Sequence, residues 1–134
     1  MAETLAKISD ELAQVVETAS PAVVQVEGRR RLPSSGIAWT SDGVIVTAHH
    51  TLERDDDITV GLPDGNTTAA TLIGRDPTTD VAVLRVNGGL TPPVWAPKDS
   101  VRVGNLSLAV GRPGDSILAT LGIVSALGKS WRTR

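Results

Sequence analysis

At Ser20-Pro21 the apolar pattern of this chain changes period, and that change constrains the fold more than any other feature. Before it, Leu5, Ile8, Leu12, Val15, Val16 and Ala19 recur at offsets of three, four and one, while Lys7, Asp10, Glu11 and Glu17 fall mostly elsewhere. That 3.6-residue period predicts one amphipathic helix over 4–19, ending at the proline step. After it come short β-branched runs: Val23-Val24-Gln25-Val26, Gly36-Ile37-Ala38-Trp39, Val44-Ile45-Val46, Ile58-Thr59-Val60 and Thr71-Leu72-Ile73. These read as strands. Asp42-Gly43 and Asp64-Gly65 lie between such runs, where the glycine can take positive φ and close a tight hairpin, so neighbouring strands should be antiparallel. Phe and Tyr are absent and Trp39, Trp95 and Trp131 are the only aromatic residues. Core volume must therefore come from Val, Leu, Ile and Ala, a palette that favours strands.

A further strand, Val81-Ala82-Val83-Leu84-Arg85-Val86, precedes Asn87-Gly88-Gly89-Leu90-Thr91-Pro92-Pro93, whose glycines and prolines cannot continue a ladder. A boundary is expected near residues 87–97. Beyond it only Leu106–Val110 and Ala119–Leu127 read as strands, too few for a stable second sheet. The reading is an all-β chain in three parts: a helix over 1–20, a β-rich unit over 21–90, and a linker with an incomplete second unit over 91–134.

With 134 residues, 40% of them apolar and 21% charged, the chain can bury a core and is not a large multidomain enzyme. Thirteen basic against fifteen acidic residues give a net charge of −2, with basic residues clustered only at Arg29-Arg30-Arg31, so nucleic-acid binding is disfavoured. With no cysteine, disulfide scaffolds, thiolate nucleophiles and cysteine-based metal sites are excluded. The N-terminus has an early acid and no apolar signal region, and no run reaches the roughly 18 apolar residues of a membrane span. As written, the chain is expected to be neither exported nor anchored.

The candidate chemistry centres on the adjacent His49 and His50, at the end of the Val44–Val46 run. Imidazole is an ordinary hydrogen-bonding group as well as a base, so a histidine alone fits a surface or capping role better than a catalytic one. Asp80 adds weight, because a carboxylate at the head of the apolar Val81–Val86 strand must be paired or hydrated.

Three stretches then resemble a known family, in family order. They are Thr40-Ser41-Asp42-Gly43-Val44-Ile45-Val46-Thr47-Ala48-His49-His50, Gly74-Arg75-Asp76-Pro77-Thr78-Thr79-Asp80-Val81-Ala82-Val83-Leu84, and Gly122-Ile123-Val124-Ser125-Ala126-Leu127-Gly128. They look like the HtrA/Deg branch of the trypsin-like serine proteases, and Ser20-Pro21-Ala22-Val23-Val24 and Val101-Arg102-Val103-Gly104 match as well. The resemblance runs from about residue 12 to 128. It implies a double antiparallel β-barrel with His50 as general base and Asp80 orienting it, acting on protein or peptide substrates without a cofactor or metal. It also implies trimer contacts through the N-terminal region and, in the wider family, work in the cell envelope. His49 falls where the family has a small or amide residue, which implies a structural role. Asp76 is the rival carboxylate, but Asp-Pro reads as a turn and Asp80 aligns with the family aspartate.

The main departure from the family is the nucleophile. No Gly-x-Ser-Gly-Gly or Gly-x-Ser-x-Gly occurs in residues 1–134. Gly114-Asp115-Ser116-Ile117 begins like the motif, but Ile117 replaces its glycine and the position matches a loop between the first strands of the second barrel. Ser34-Ser35-Gly36 reads as a strand entry, and Ser125 as a sheet or core hydroxyl. The chain therefore resembles the first barrel and the opening of the second, cut before the serine and the oxyanion hole, and is expected to be inactive alone. The alternative is a non-catalytic β-barrel module for binding or oligomerisation.

The remaining features have plain readings. Asp55-Asp56-Asp57 lacks the spacing of an EF-hand loop and reads as a solvated turn. Arg29-Arg30-Arg31 reads as an exposed strand end or loop. The helix's apolar stripe should pack on its own barrel or on a second subunit, and exposed strand edges near the end could pair copies into a dimer.

Overall fold

The computed structural model describes residues 1–128. Helix α1 spans Ala2–Ala19 and passes through one 3-10 turn at Ser20–Ala22, with Pro21 in its first positions. Eight strands follow among the described residues: β1 (Val23–Glu27), β2 (Ser34–Ala38), β3 (Val44–Ala48), β4 (Ile58–Gly61), β5 (Thr67–Asp76), β6 (Val81–Val86), β7 (Leu106–Gly111) and β8 (Leu118–Ile123). The first six form a closed antiparallel barrel in the order β1-β2-β3-β6-β5-β4, with β4 pairing back onto β1. β7 and β8 form a separate two-stranded ribbon. This is the all-β, trypsin-like architecture with an N-terminal helix that the sequence implied.

Strand alternation builds the core. Val24 and Val26 on β1, Ile58 and Val60 on β4, and Ala82, Leu84 and Val86 on β6 point inward at every second position, joined by Ile45 on β3 and by Leu52. A six-stranded barrel has a narrow interior, and among the described residues aliphatic side chains fill it without an aromatic ring. The fit is close at Gly36, where an added Cβ would lie 2.8 Å from Ile45 Cγ2. Gly43 closes the β2–β3 hairpin at φ +119°, and a Cβ there would lie 2.2 Å from the Val86 carbonyl oxygen. Both the left-handed backbone and this approach exclude a side chain.

Residues 87–105 connect β6 to β7 without a helix or strand. Leu90 packs against the barrel core and donates its amide to the Ser41 carbonyl at 3.1 Å, and Trp95 packs on Trp39 with ring centroids 4.5 Å apart and planes tilted by 51°. Trp131 lies outside the described residues.

Two expectations are corrected. The last strand ends at Ile123 rather than Leu127, because its partner β7 begins at Leu106 and the register pairs Leu106 with Ile123. Past that pair no strand is formed, and only Val124 still bonds the segment before β7, its N–H donating to the Asn105 carbonyl at 2.9 Å and its carbonyl accepting Gly104 N–H at 2.7 Å. Ser125 is consequently exposed and outside any strand, not a sheet or core hydroxyl. Of the α1 stripe, Leu12, Val16 and Ala19 are half-buried, on the side where the helix meets β7, while Leu5, Ile8 and Val15 are exposed.

Candidate active site

Register brings the histidine pair and Asp80 together. β3 and β6 pair antiparallel with Ala48 opposite Val81, so the residues just after β3 lie beside those just before β6. The chain then makes one 3-10 turn, His49–Thr51. Thr51 Oγ1 donates to the Ala48 carbonyl at 2.8 Å, Leu52 N–H donates to His49 O at 3.1 Å, and the buried Leu52 side chain anchors the turn in the core. On the other side, Asp76 ends β5 and caps the turn to β6, its Oδ1 accepting from Thr78 N–H at 2.9 Å and its Oδ2 from Thr79 Oγ1 at 2.8 Å. That turn delivers Asp80 in the left-handed region, at φ +59°, a conformation aspartate tolerates better than most residues.

Asp80 holds the histidine turn through three bonds. Its carbonyl accepts His49 N–H at 3.0 Å, its Oδ1 accepts His50 N–H at 2.8 Å, and its Oδ2 lies 2.6 Å from His50 Nδ1. With a carboxylate as acceptor, Nδ1 carries the proton, so a neutral ring has its lone pair on Nε2. Among the described residues no protein group bonds Nε2. The His50 side chain is 68% exposed and that of Asp80 46%, so the pair stands on an open face of the barrel rather than serving as a satisfied core contact. An imidazole held this way can take a proton at Nε2, and the carboxylate steadies the imidazolium that forms.

The hydrogen bond from the His50 ring, followed by that from the His50 amide, holds the Asp80 carboxyl below the usual carboxylate range, outweighing the upward push of desolvation. Thr79 and the Thr78 amide lower Asp76 in the same direction, and Thr40 lowers Asp42. A carboxylate whose folded-state pKa is depressed stabilises the fold above its unfolded value near 4, and loses that contribution as pH falls through the folded value. The parent chain is therefore expected to lose stability as pH falls from about 5 through the carboxylate range. Asp80→Asn should lose less over the same interval, as urea denaturation at a series of pH values would show. Equal losses in the two proteins would contradict this origin.

His49 is half-buried, with Nδ1 3.4 Å from Arg75 Nη1. The remaining serines are not drawn to His50 by any hydrogen bond among the described residues. Ser35 Oγ accepts the Arg112 amide at 2.6 Å, Ser34 Oγ donates to Val26 O at 3.4 Å, and Ser116 is exposed in the β7–β8 loop. Of the acidic run, Asp55 pairs with Arg75 at 2.9 Å, and the described residues hold no group of three metal-binding side chains.

Two arginines of structural weight carried no assigned role in the sequence. Arg112 is 6% exposed and satisfies the backbone that joins ribbon to barrel, donating to Val23 O, Ser20 O, Ser20 Oγ and Asp115 O. Arg75 reaches the segment after His50. Only Arg75 had a signal, its place in the Gly74-Arg75-Asp76-Pro77 stretch.

A closed antiparallel barrel presenting a carboxylate-held histidine at a strand end is the arrangement that the resemblance to trypsin-like peptidases implied. Residues 34–134 match the trypsin-like peptidase domain family, and the chain belongs to it. Within that family it is HtrA/Deg-like. It is 38% identical over 131 residues to Serine protease PepD of Mycobacterium tuberculosis, covering 87% of this chain and 28% of that protein. It is 37% identical over 130 residues to Serine endoprotease DegS of Salmonella typhimurium, covering 85% of this chain and 36% of that protein. To a probable periplasmic serine endoprotease DegP-like of Pseudomonas putida it is 41% identical over 98 residues, covering 72% of this chain and 20% of that protein. The chain thus spans about a third or less of the length of these relatives.

Proposed function

We propose that this chain is the base-carrying part of a serine endopeptidase that cleaves protein or peptide substrates through an acyl-enzyme. The observation that carries the reading is the 2.6 Å contact between His50 Nδ1 and Asp80 Oδ2, on an open face with no protein partner on Nε2 among the described residues. In this reading His50 takes the proton of a serine hydroxyl and later returns it to the leaving amine, and Asp80 holds the tautomer. Residues 21–90 are the first barrel, and 91–134 are the linker and the start of a second. The β7–β8 ribbon supports that division, because Leu106, Leu118, Leu121 and Ile123 stay 53–60% exposed on a two-stranded unit that is marginal alone.

The 134-residue chain by itself is expected to hydrolyse no labelled protein above background, since it contains no serine in a nucleophile motif. Continued through a serine-bearing second barrel, it should hydrolyse. Activity of the short chain that survives purification and disappears in His50→Ala would overturn the first statement. The non-catalytic alternative predicts no hydrolysis from the continued polypeptide.

A further inference from the structure

β5 carries one extra residue. Leu72 pairs with Leu84 and Gly74 with Val83, which leaves Ile73 as a bulge. A bulge shifts the alternation of side chains by one position. Without it Arg75 would stand opposite Val81, whereas with it Arg75 stands opposite Ala82, which faces the barrel interior. The bulge thus turns Arg75 inward at the mouth of the barrel, under the segment that follows His50.

There the guanidinium engages that segment at several points. Nη1 donates to Leu52 O at 2.9 Å and lies 3.4 Å from His49 Nδ1, while Nη2 donates to Arg54 O at 3.0 Å and pairs with Asp55 Oδ1 at 2.9 Å. The contact with His49 uses a ring lone pair on Nδ1, which places that ring's proton on Nε2. The Arg75 side chain is 22% exposed and that of Asp55 82%, so the ion pair alone contributes little and the two carbonyl bonds hold the segment. The neighbouring Asp76 caps the turn that presents Asp80. Adjacent residues of one strand therefore support both halves of the pair.

We propose that Arg75, aimed by the Ile73 bulge, is a positioning residue for His50, its planar fork fixing the turn that sets the imidazole against Asp80. The proposal rests on the reading of His50 as the base. A lysine cannot replace it, because an ammonium group offers no rigid fork for two carbonyls and a carboxylate.

The test uses the 134-residue chain, so it does not depend on hydrolysis. In the parent, ¹⁵N spectra of the His50 ring should show the tautomer with its proton on Nδ1. In Arg75→Met, which keeps the aliphatic stem, the ring should become a mixture of tautomers and the Leu52 amide should exchange at least tenfold faster. Amides of Val24, Ile45 and Leu84 should keep their exchange rates, which separates positioning from general loosening. A folded Arg75→Met protein with the parental His50 tautomer and Leu52 exchange overturns the proposal. If Arg75→Met does not fold, Arg75→Lys is read by the same two signals, and parental values there overturn it equally. Failure of the base assignment is read elsewhere, as hydrolysis by the serine-bearing polypeptide that survives His50→Ala.

Discussion

His50→Ala, made in the polypeptide continued through a serine-bearing second barrel, is expected to lower kcat by about 10⁴–10⁶ and to leave KM within a few-fold. A serine hydroxyl is a weak nucleophile near neutral pH, and removing the imidazole leaves no group to accept its proton as the carbonyl is attacked. Substrate contacts made outside the His50 side chain remain, which is why the loss should fall on kcat. Asp80→Asn should cost about 10⁴ by a different route. An amide at this position can place its NH₂ against His50 Nδ1, which moves the ring proton to Nε2 and removes the lone pair that would accept the serine proton. The Asp80 main chain, which accepts the His49 amide, is untouched by that substitution, so the turn should keep its place. Steady-state kinetics on a labelled peptide measures both variants. His50→Ala retaining more than about 1% of the parental kcat would remove the base assignment, given the losses expected for a working triad.

Leu84→Ala is expected to destabilise the barrel by about 2–5 kcal/mol, a large part of the roughly 5–15 kcal/mol of a small domain. Leu84 is fully buried at the centre of β6, opposite Ile45 on β3 and Leu72 on β5. A closed ring of strands cannot collapse inward around the lost methyl groups, so the cavity should persist and add to the transfer cost. Among the described residues the aliphatic core has no aromatic side chain whose rotation could refill it. Leu121→Ala on the exposed face of β8 is the control, expected to change stability by about 0.5 kcal/mol or less. Urea denaturation of the three proteins compares them. A Leu84→Ala cost below about 1 kcal/mol would mean that the barrel interior relaxes freely.

Much of the fold was legible because its signals are local. The 3.6-residue period before Ser20-Pro21 predicted α1, and the β-branched runs predicted every strand of the barrel. The Asp-Gly pairs marked the β2–β3 and β4–β5 hairpins, where Gly43 and Gly65 do take positive φ. Strand ends were less legible. β5 runs from Thr67 to Asp76, although only Thr71-Leu72-Ile73 carried a compact apolar run, because pairing with β4 and β6 recruits its polar flanks. β8 stops at Ile123, short of Leu127, because a strand lasts only as long as its partner.

His50 and Asp80 could be named from residue type and motif order, but their meeting belongs to the β3–β6 register. Arg75 shows the difference most clearly. Its place in the sequence says nothing of its direction, since one bulged residue at Ile73 reverses which face it occupies. The buried Arg112 is of the same kind, satisfied by carbonyls at Ser20 and Val23 that are remote along the chain. What the sequence by itself determined is the set of elements and the chemical types at their ends, because helix period, strand alternation and turn chemistry act over a few residues. Tertiary structure alone decided register, bulge and barrel closure, since each depends on hydrogen bonds between segments far apart in sequence. Those bonds put the ring of His50, the carboxylate of Asp80 and the guanidinium of Arg75 around one turn.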